Sequence, residues 1–313
     1  MSLGKSIVSG IIGVVFCSIV MWFVFGIFTV PLEMTNVYFA VGAAGFFSSF
    51  FGSYNPFLGK RSSATNPKTD VDQIIQTKQL EKIYGENETE VIALNKINIE
   101  FLKSQFTAIM GPSGSGKSTL LHCLAGLDNP TSGSIYINDT DLSILNDKQL
   151  TKLRRDSFGF VFQSYNLIPT LTAAENISLP SSIAGNSPDE EWIDKIIEKL
   201  DLHDRLNHRP NELSGGQQQK VAVARALASK PSVIFADEPT GNLDSTSSEE
   251  LLAFLKIIVN ELNQTVIMVT HDPIAASFAD RVIFLRDGSV FNDLKEPSKE
   301  QIITIVSDIS SKG

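Results

Sequence analysis

The stretch from Gly111 to Thr119 has the residue types and spacing needed to bind phosphate groups. It contains the pattern G-x-x-x-x-G-K-S and follows a short apolar run, Phe106 to Met110, that predicts a buried strand. Glycines let the backbone wrap closely around phosphates, and a helix beginning at the end of the loop adds its positive dipole end. In this pattern Lys117 reaches the β- and γ-phosphates. We therefore predict a nucleotide-binding loop rather than an unrelated glycine-rich turn. The predicted nucleotide contacts here are Gly111, Ser113, Gly114, Ser115, Gly116, Lys117, Ser118 and Thr119.

Two consecutive carboxylates predict the other half of the site. Four apolar residues, Val233 to Ala236, precede Asp237 and Glu238, which indicates a strand buried on both faces that ends in two acids. Ligands of α/β sheets bind at this end of the strands. We predict that Ser118 and Asp237 hold Mg²⁺, Asp237 through water, and that Glu238 is the general base. A surface acidic pair is the alternative interpretation.

The segment LSGGQ, from Leu213 to Gln217, predicts the start of another helix. Ser214 and Gln217 have the S-x-x-Q spacing of an ordinary helix capping box. A helix N-terminus can also bind phosphate without a lysine. One chain would then carry two half-sites with different chemistry.

LSGGQ is also the signature of the ABC ATPases, and the chain from about Ile74 to Val290 resembles an ABC transporter ATPase. The resemblance implies an α/β P-loop NTPase domain over residues 74–313, with a RecA-like core, an antiparallel β subdomain and a helical subdomain. It implies ATP and Mg²⁺ as ligands and ATP hydrolysis as the activity. It also implies a head-to-tail dimer in which Ser214 and Gly216 of one subunit close over ATP on the other subunit's Lys117.

The resemblance assigns roles to further residues. Tyr84 matches the aromatic residue that stacks on adenine, and Gln163 matches the residue that senses Mg²⁺ and the γ-phosphate. His271 matches the histidine that contacts the γ-phosphate and joins Lys117 and Glu238 in catalysis. Core packing, a loop amide and a helix cap are the respective alternatives for Tyr84, Gln163 and His271. The implied signature contacts to nucleotide are Ser214, Gly215, Gly216 and Gln217.

The region between Gln163 and Ser214 separates this chain from other members of the same superfamily. It contains neither the long heptads of chromosome-maintenance relatives nor the zinc cysteines of repair relatives. The segments 162–176 and 241–245 resemble the lipoprotein-release and macrolide-export branch, in which the first segment docks onto a membrane partner. Ser187 to Glu190 has the spacing of a capping box and predicts a helix that extends to about Leu200.

Two uncharged apolar runs, Ile7 to Val30 and Val37 to Leu58, predict a transmembrane hairpin over residues 1–58. Residues 59–73 are polar and predict a linker. Lys5 precedes the first run and Lys60 follows the second, so the positive-inside tendency places both ends in the cytoplasm. A cleaved signal peptide is the alternative interpretation. An N-terminal hairpin is unusual for this family.

Charge and cysteine usage restrict the partners. The chain has a formal net charge of −9. Residues 1–73 have four basic and three acidic side chains, so the acidic excess lies in the main domain, which argues against nucleic-acid binding. Cys17 and Cys123 are interpreted as small apolar residues, in keeping with a reducing compartment. We expect an ATPase at the cytoplasmic side of the cell (inner) membrane, with a second ATPase subunit, a separate permease, and lipid contacts through residues 7–58. A non-transport signalling or mechanotransmission complex and an inactive scaffold are the alternatives.

Overall fold

The computed structural model describes residues 73–185 and 187–311. The predicted hairpin and linker lie outside the described residues, apart from Gln73, which begins the first strand. Within the described ranges, no helix combines the length and the apolar character that crossing a membrane requires.

Strands and helices alternate along most of the chain. The strands are β1 (Gln73–Tyr84), β2 (Val91–Ile97), β3 (Glu100–Leu102), β4 (Phe106–Met110), β5 (Ser132–Ile137), β6 (Thr140–Asp141), β7 (Phe158–Phe162), β8 (Val233–Asp237), β9 (Thr265–Val269), β10 (Arg281–Arg286) and β11 (Ser289–Lys295). The helices are α1 (Lys117–Leu124), α2 (Asp147–Ser157), α3 (Ala173–Ala184), α4 (Glu190–Leu200), α5 (Gly215–Leu227), α6 (Ser245–Leu262), α7 (Pro273–Ala276), α8 (Lys299–Ser311).

A six-stranded sheet forms the centre, in the order β11-β10-β4-β9-β8-β7. All neighbouring strands in it are parallel except β10 and β11. Every residue of β4 and of β9 is buried, as expected for strands of a parallel sheet that is covered on both faces. β4 leads into the phosphate-binding loop, and β8 has four buried residues before Asp237, so the two predicted strands are confirmed.

A second, antiparallel sheet has the order β2-β1-β5-β6, and β3 also pairs with β1. Its buried side chains include Ile75, Leu80 and Phe101, which share one core with Leu120 and Leu124 of α1. This sheet corresponds to the predicted antiparallel β subdomain, and its core supports the helix that follows the glycine loop.

Helices α3 and α4 pack against α5 in the predicted helical subdomain. The expected start of α4 at the Ser187 capping box is wrong. The helix begins at Glu190, and the Asp189 side chain is its N-cap, accepting a hydrogen bond from the Trp192 N–H at 3.0 Å. The Asp189 carboxylate also pairs with Lys230, and this pairing favours Asp189 over a neutral serine as the cap.

The last helix, α8, packs against α7 with Ile302 and Ile309 buried. The sequence after Val290 contains no motif that indicates chemistry. The structure nevertheless places Val306 and Ile309 in the wall of the main cavity, beside the end of β4.

Candidate functional site

The glycine loop connects β4 to α1 and needs glycine for steric reasons. Gly116, the N-cap of α1, has φ +96°, a conformation that residues with a Cβ rarely adopt. A Cβ on Gly116 would lie 2.3 Å from the Ala93 carbonyl oxygen of β2. The loop therefore lies directly against the antiparallel sheet at this residue.

Lys117 begins α1 and is mostly buried. Its Nζ donates hydrogen bonds to the carbonyl oxygens of Gly111 at 2.9 Å and Pro112 at 2.7 Å. Burial lowers the pKa of Lys117, while the carboxylates of Glu238 and Asp237 act in the opposite direction. In this structure the ammonium group is thus held inside the glycine loop by two backbone carbonyl oxygens.

Asp237 ends β8 next to the start of α1. The Ser118 hydroxyl donates to Asp237 Oδ1 at 3.3 Å, and His122 Nε2 lies 4.0 Å from Oδ2. Burial raises the pKa of Asp237, and His122 and Ser118 partly offset this effect. Sequence analysis missed His122, although its position four residues after Ser118 places both on one face of α1.

Glu238 follows Asp237 with φ +47°, in the left-handed region. Its N–H donates to the Val269 carbonyl at 3.0 Å, which fixes the turn against the end of β9. The Glu238 Oε1 lies 3.0 Å from His271 Nδ1. The structure therefore brings together the predicted general base and the predicted γ-phosphate contact.

A cavity of about 660 Å³ contains most of the predicted site. It is lined by Gly111, Ser113, Gly114, Gly116, Lys117, Ser118, Thr119, Glu238 and His271, with apolar walls from Val91, Ala93, Met110, Phe284, Val306 and Ile309. Its volume is in the range of sites for cofactor-sized ligands. Ser115 is a buried residue of the loop itself, and its Oγ has no hydrogen-bond partner among the described residues.

The donor chemistry of the cavity fits a nucleotide with Mg²⁺. A lysine ammonium and a glycine loop at a helix N-terminus suit phosphate groups. The adjacent oxygens of Ser118 and Asp237 are the hard ligands that Mg²⁺ prefers.

Gln163 lies outside the lining of this cavity, against the loop after Glu238. Its Nε2 donates to Asn242 Oδ1 at 3.1 Å, and the Asn242 Nδ2 donates back to the Gln163 carbonyl at 3.0 Å. The Tyr165 hydroxyl donates to the Asn242 carbonyl at 3.3 Å. In this conformation Gln163 is joined to the 241–244 loop, and its predicted role at Mg²⁺ stays a prediction.

Tyr84 also lies beside the cavity rather than in its lining, and it is 42% exposed. Its hydroxyl donates to Asp128 Oδ2 at 2.6 Å, and Lys82 Nζ donates to Asp128 Oδ1 at 2.6 Å while standing 4.8 Å from the Tyr84 ring centroid. Burial and the Asp128 hydrogen bond raise the pKa of Tyr84. The ring is accessible, so the alternative of core packing does not describe it. Sequence analysis missed Asp128.

The signature segment begins α5 as a capping box. Ser214 Oγ accepts from the Gln217 N–H at 3.3 Å, and the Ser214 N–H donates to Gln217 Oε1 at 3.0 Å. Ser214, Gly215, Gly216 and Gln217 are absent from the lining of the cavity that holds Lys117. A single chain therefore presents the two predicted half-sites separately.

Several known proteins are similar to this chain in sequence. The family model described as ABC transporter matches residues 94–241. An uncharacterized ABC transporter ATP-binding protein of Methanocaldococcus jannaschii, MJ0796, is 47% identical over 228 residues, which are 71% of this chain and 97% of the relative. The macrolide export ATP-binding/permease protein MacB of Marinobacter nauticus is 46% identical over 222 residues. That match includes 70% of this chain but only 34% of MacB.

Solved structures agree with these sequence matches. The dimeric structure of the ATP-binding cassette MJ0796, in a post-hydrolysis state bound to ADP and Pi, aligns with a TM-score of 0.65 and 44% identity. The alignment covers 72% of this chain and all of that chain. A structure of cbiO1 from Clostridium perfringens, part of the ABC transporter complex cbiONQ, aligns with a TM-score of 0.66 and 27% identity.

Proposed function

This chain belongs to the ABC transporter family of ATP-binding proteins, and from that membership we propose that it drives a separate membrane permease by ATP-dependent closing and opening of a dimer. It is the ATP-binding subunit of an ABC transporter, and it hydrolyses ATP with Mg²⁺. The observation that carries the proposal is that Lys117, Glu238 and His271 line the same cavity.

Different residues of the site bind the phosphate groups and Mg²⁺. Lys117 binds the β- and γ-phosphates, and its release from the Gly111 and Pro112 carbonyls frees the ammonium for them. Ser118, Gln163 and, through water, Asp237 would hold Mg²⁺, which when bound would neutralise charge on the phosphate oxygens.

Glu238 accepts a proton from water as the water oxygen bonds to the γ-phosphorus and the bond to the β-phosphate oxygen breaks. The products are ADP and phosphate. His271, held 3.0 Å from Glu238, contacts the γ-phosphate and fixes the orientation of the base.

The second half-site comes from another ATPase subunit, most simply a second copy of this chain. Ser214, Gly215, Gly216 and Gln217 form a helix N-terminus suited to phosphate, but they lie away from the cavity of their own chain. Tyr84 supplies the adenine contact. The dimeric MJ0796 structure supports this arrangement.

Replacing Glu238 with glutamine tests the proposal. The variant should keep ATP binding and form a nucleotide-bound dimer, while phosphate release falls by roughly 10²- to 10⁴-fold because the general base is lost. Phosphate release and light scattering after size exclusion measure the two effects in the full-length chain. Glu261→Gln, which removes only a surface partner of Lys199, is the matched control. A Glu238→Gln chain that stays monomeric with ATP and Mg²⁺ contradicts the two-half-site arrangement.

We also propose that residues 1–58 anchor the ATPase to the cytoplasmic face of the inner membrane through two transmembrane helices, followed by a linker at 59–73. The uncharged runs and their basic flanks support this proposal. Deleting residues 1–58 should give a protein that no longer needs detergent and still binds ATP. A deletion variant that fails to fold would show that the segment is part of the folded domain.

The lipoprotein-release and macrolide-export branch is the proposed transporter class. The similarity of segments 162–176 and 241–245 to that branch and the 46% identity to MacB support it. Purifying the full-length chain in mild detergent and identifying the membrane protein that accompanies it tests this assignment. Recovery of an envelope enzyme instead of a permease would favour the signalling alternative. Absence of phosphate release with and without the partner would favour the scaffold.

A further inference from the structure

Gln219 is a polar side chain in a fully buried position on the second turn of α5. Its Nε2 donates to the Pro239 carbonyl at 2.6 Å and to the Phe162 carbonyl at 3.3 Å. If the Gln219 amide were rotated by 180°, its Oε1 would face these two carbonyl oxygens and neither could donate a hydrogen bond. The nitrogen is therefore the atom that faces them. Burying an amide is unfavourable unless it is hydrogen-bonded, and these two bonds meet that requirement for the nitrogen.

Both acceptors lie at the ends of neighbouring central strands. Phe162 is the last residue of β7 and directly precedes Gln163. Pro239 directly follows Glu238, beyond the end of β8. One side chain of α5 thus holds the backbone at the start of both loops that carry predicted catalytic and Mg²⁺-binding residues.

A second side chain of α5 holds the same loop further along. Arg225 donates from Nη2 to the Tyr165 carbonyl at 2.9 Å and from Nη1 to the Asn166 carbonyl at 2.6 Å. The first part of the loop after β7, which contains Gln163, is therefore attached to α5 on both sides of that residue.

We propose that Gln219 is a positioning residue that couples the two nucleotide half-sites carried by one chain. This inference rests on the proposed dimer, in which the start of α5 contacts one ATP while Gln163 and Glu238 serve the other. Gln219 lies five residues after Ser214, or about 7.5 Å along the helix axis. When the Ser214 turn closes on a nucleotide, the helix moves as a unit, and Gln219 transmits the movement to the two strand ends.

Gln219→Met is the main test, because methionine has a similar length and no donor. The matched control is Gln218→Met, since Gln218 is the adjacent glutamine and its side chain donates to the Leu213 carbonyl instead of to the ends of β7 and β8. The full-length chain is purified in mild detergent. ATP affinity is measured on the Glu238→Gln background, and the rate and its dependence on ATP concentration are measured on the native background.

The unmodified chain should hydrolyse ATP with a Hill coefficient that approaches two. Gln219→Met should keep ATP affinity within about threefold, reduce kcat by on the order of tenfold, and bring the Hill coefficient close to one. Gln218→Met should retain the unmodified values. An unchanged kcat and Hill coefficient in Gln219→Met overturn the inference, and so does an unmodified chain with a Hill coefficient of one.

Gln219→Glu provides a second measurement that does not depend on the methionine variant folding. A buried glutamate has a raised pKa, and its protonated carboxyl can donate to the Pro239 carbonyl, whereas its ionised form cannot donate. Its rate relative to the unmodified chain should therefore rise as the pH falls from 8 to 6. A ratio that is independent of pH overturns the inference.

The outcomes also separate this inference from the proposed function. A dimer formed by Glu238→Gln, together with normal cooperativity in Gln219→Met, rejects the coupling role and leaves the two-half-site model intact. A Glu238→Gln chain that does not dimerise rejects both.

Discussion

Replacing Lys117 with methionine should weaken nucleotide binding without lowering the stability of the nucleotide-free protein. Lys117 is 8% exposed, and burial lowers its pKa below the ordinary value. For a lysine with a lowered folded-state pKa, the charged form disfavours folding at any pH below both pKa values. Methionine has a similar length and no charge. The two carbonyls that lose a donor, Gly111 and Pro112, line the cavity, where water can replace the ammonium group.

The expected loss of affinity follows from the hydrogen bonds of the ammonium group. Hydrogen bonds to charged groups contribute about 1.5–3 kcal/mol, and because every 1.4 kcal/mol is about tenfold, the Kd should rise roughly 10- to 150-fold. A ligand present at about 100 times the wild-type Kd stabilises the native chain by about 2.7 kcal/mol. The same concentration should stabilise Lys117→Met by only about 1.4 kcal/mol to about 0.3 kcal/mol.

Thermal unfolding with and without a non-hydrolysable ATP analogue and Mg²⁺ measures both effects in one experiment. Lys199→Met is the control, because Lys199 makes only a surface ion pair with Glu261 at 2.5 Å. Surface ion pairs contribute about 0–1 kcal/mol, so the control should keep the full ligand-induced stabilisation. If Lys117→Met without nucleotide loses more than about 1 kcal/mol relative to Lys199→Met, the desolvation argument is refuted.

Three further variants test other parts of the structure. Gly116→Ala should destabilise the nucleotide-free fold more than Gly114→Ala by at least about 1 kcal/mol in chemical unfolding. Both glycines have positive φ, but only a Cβ on Gly116 meets a backbone atom. Asp237→Asn should abolish hydrolysis yet remain at least as stable at pH 7, because burial raises the pKa of Asp237 and its ionised form disfavours folding. The stability difference between Asp237→Asn and the unmodified chain should disappear as the pH is lowered through the pKa of Asp237, because the unmodified side chain then becomes uncharged as well. Asn176→Ala should lower the free energy of unfolding by about 2–4 kcal/mol, since its fully buried amide joins the backbone at both ends of one turn; a loss below about 1 kcal/mol contradicts this role.

The local parts of the site could be predicted because their chemistry is encoded in consecutive residues. The glycine loop, its flanking strand and helix, and the acids that end β8 each occupy one short segment. The capping box of α5 was visible for the same reason, since Ser214 and Gln217 determine it together. Such patterns depend on backbone periodicity and reach only a few residues along the chain.

The contacts between segments could not be predicted from those patterns. The pairing of Gln163 with Asn242 joins loops 79 residues apart, and the hydrogen bond from Tyr84 to Asp128 spans 44 residues. The left-handed conformation of Glu238 follows from tertiary contacts, because its own residue type does not favour positive φ. The start of α4 was missed since Lys230, a distant residue, stabilises Asp189 as the cap.

The contribution of Val306 and Ile309 to the cavity wall has a consequence for the order of biosynthesis. The ribosome produces the glycine loop almost 200 residues before it produces these two side chains. A nascent chain that has reached β11 therefore possesses the lysine, the acids and the histidine, but the apolar wall of their compartment is still incomplete. The catalytic compartment is thus complete only after the segment containing α8 has emerged and docked.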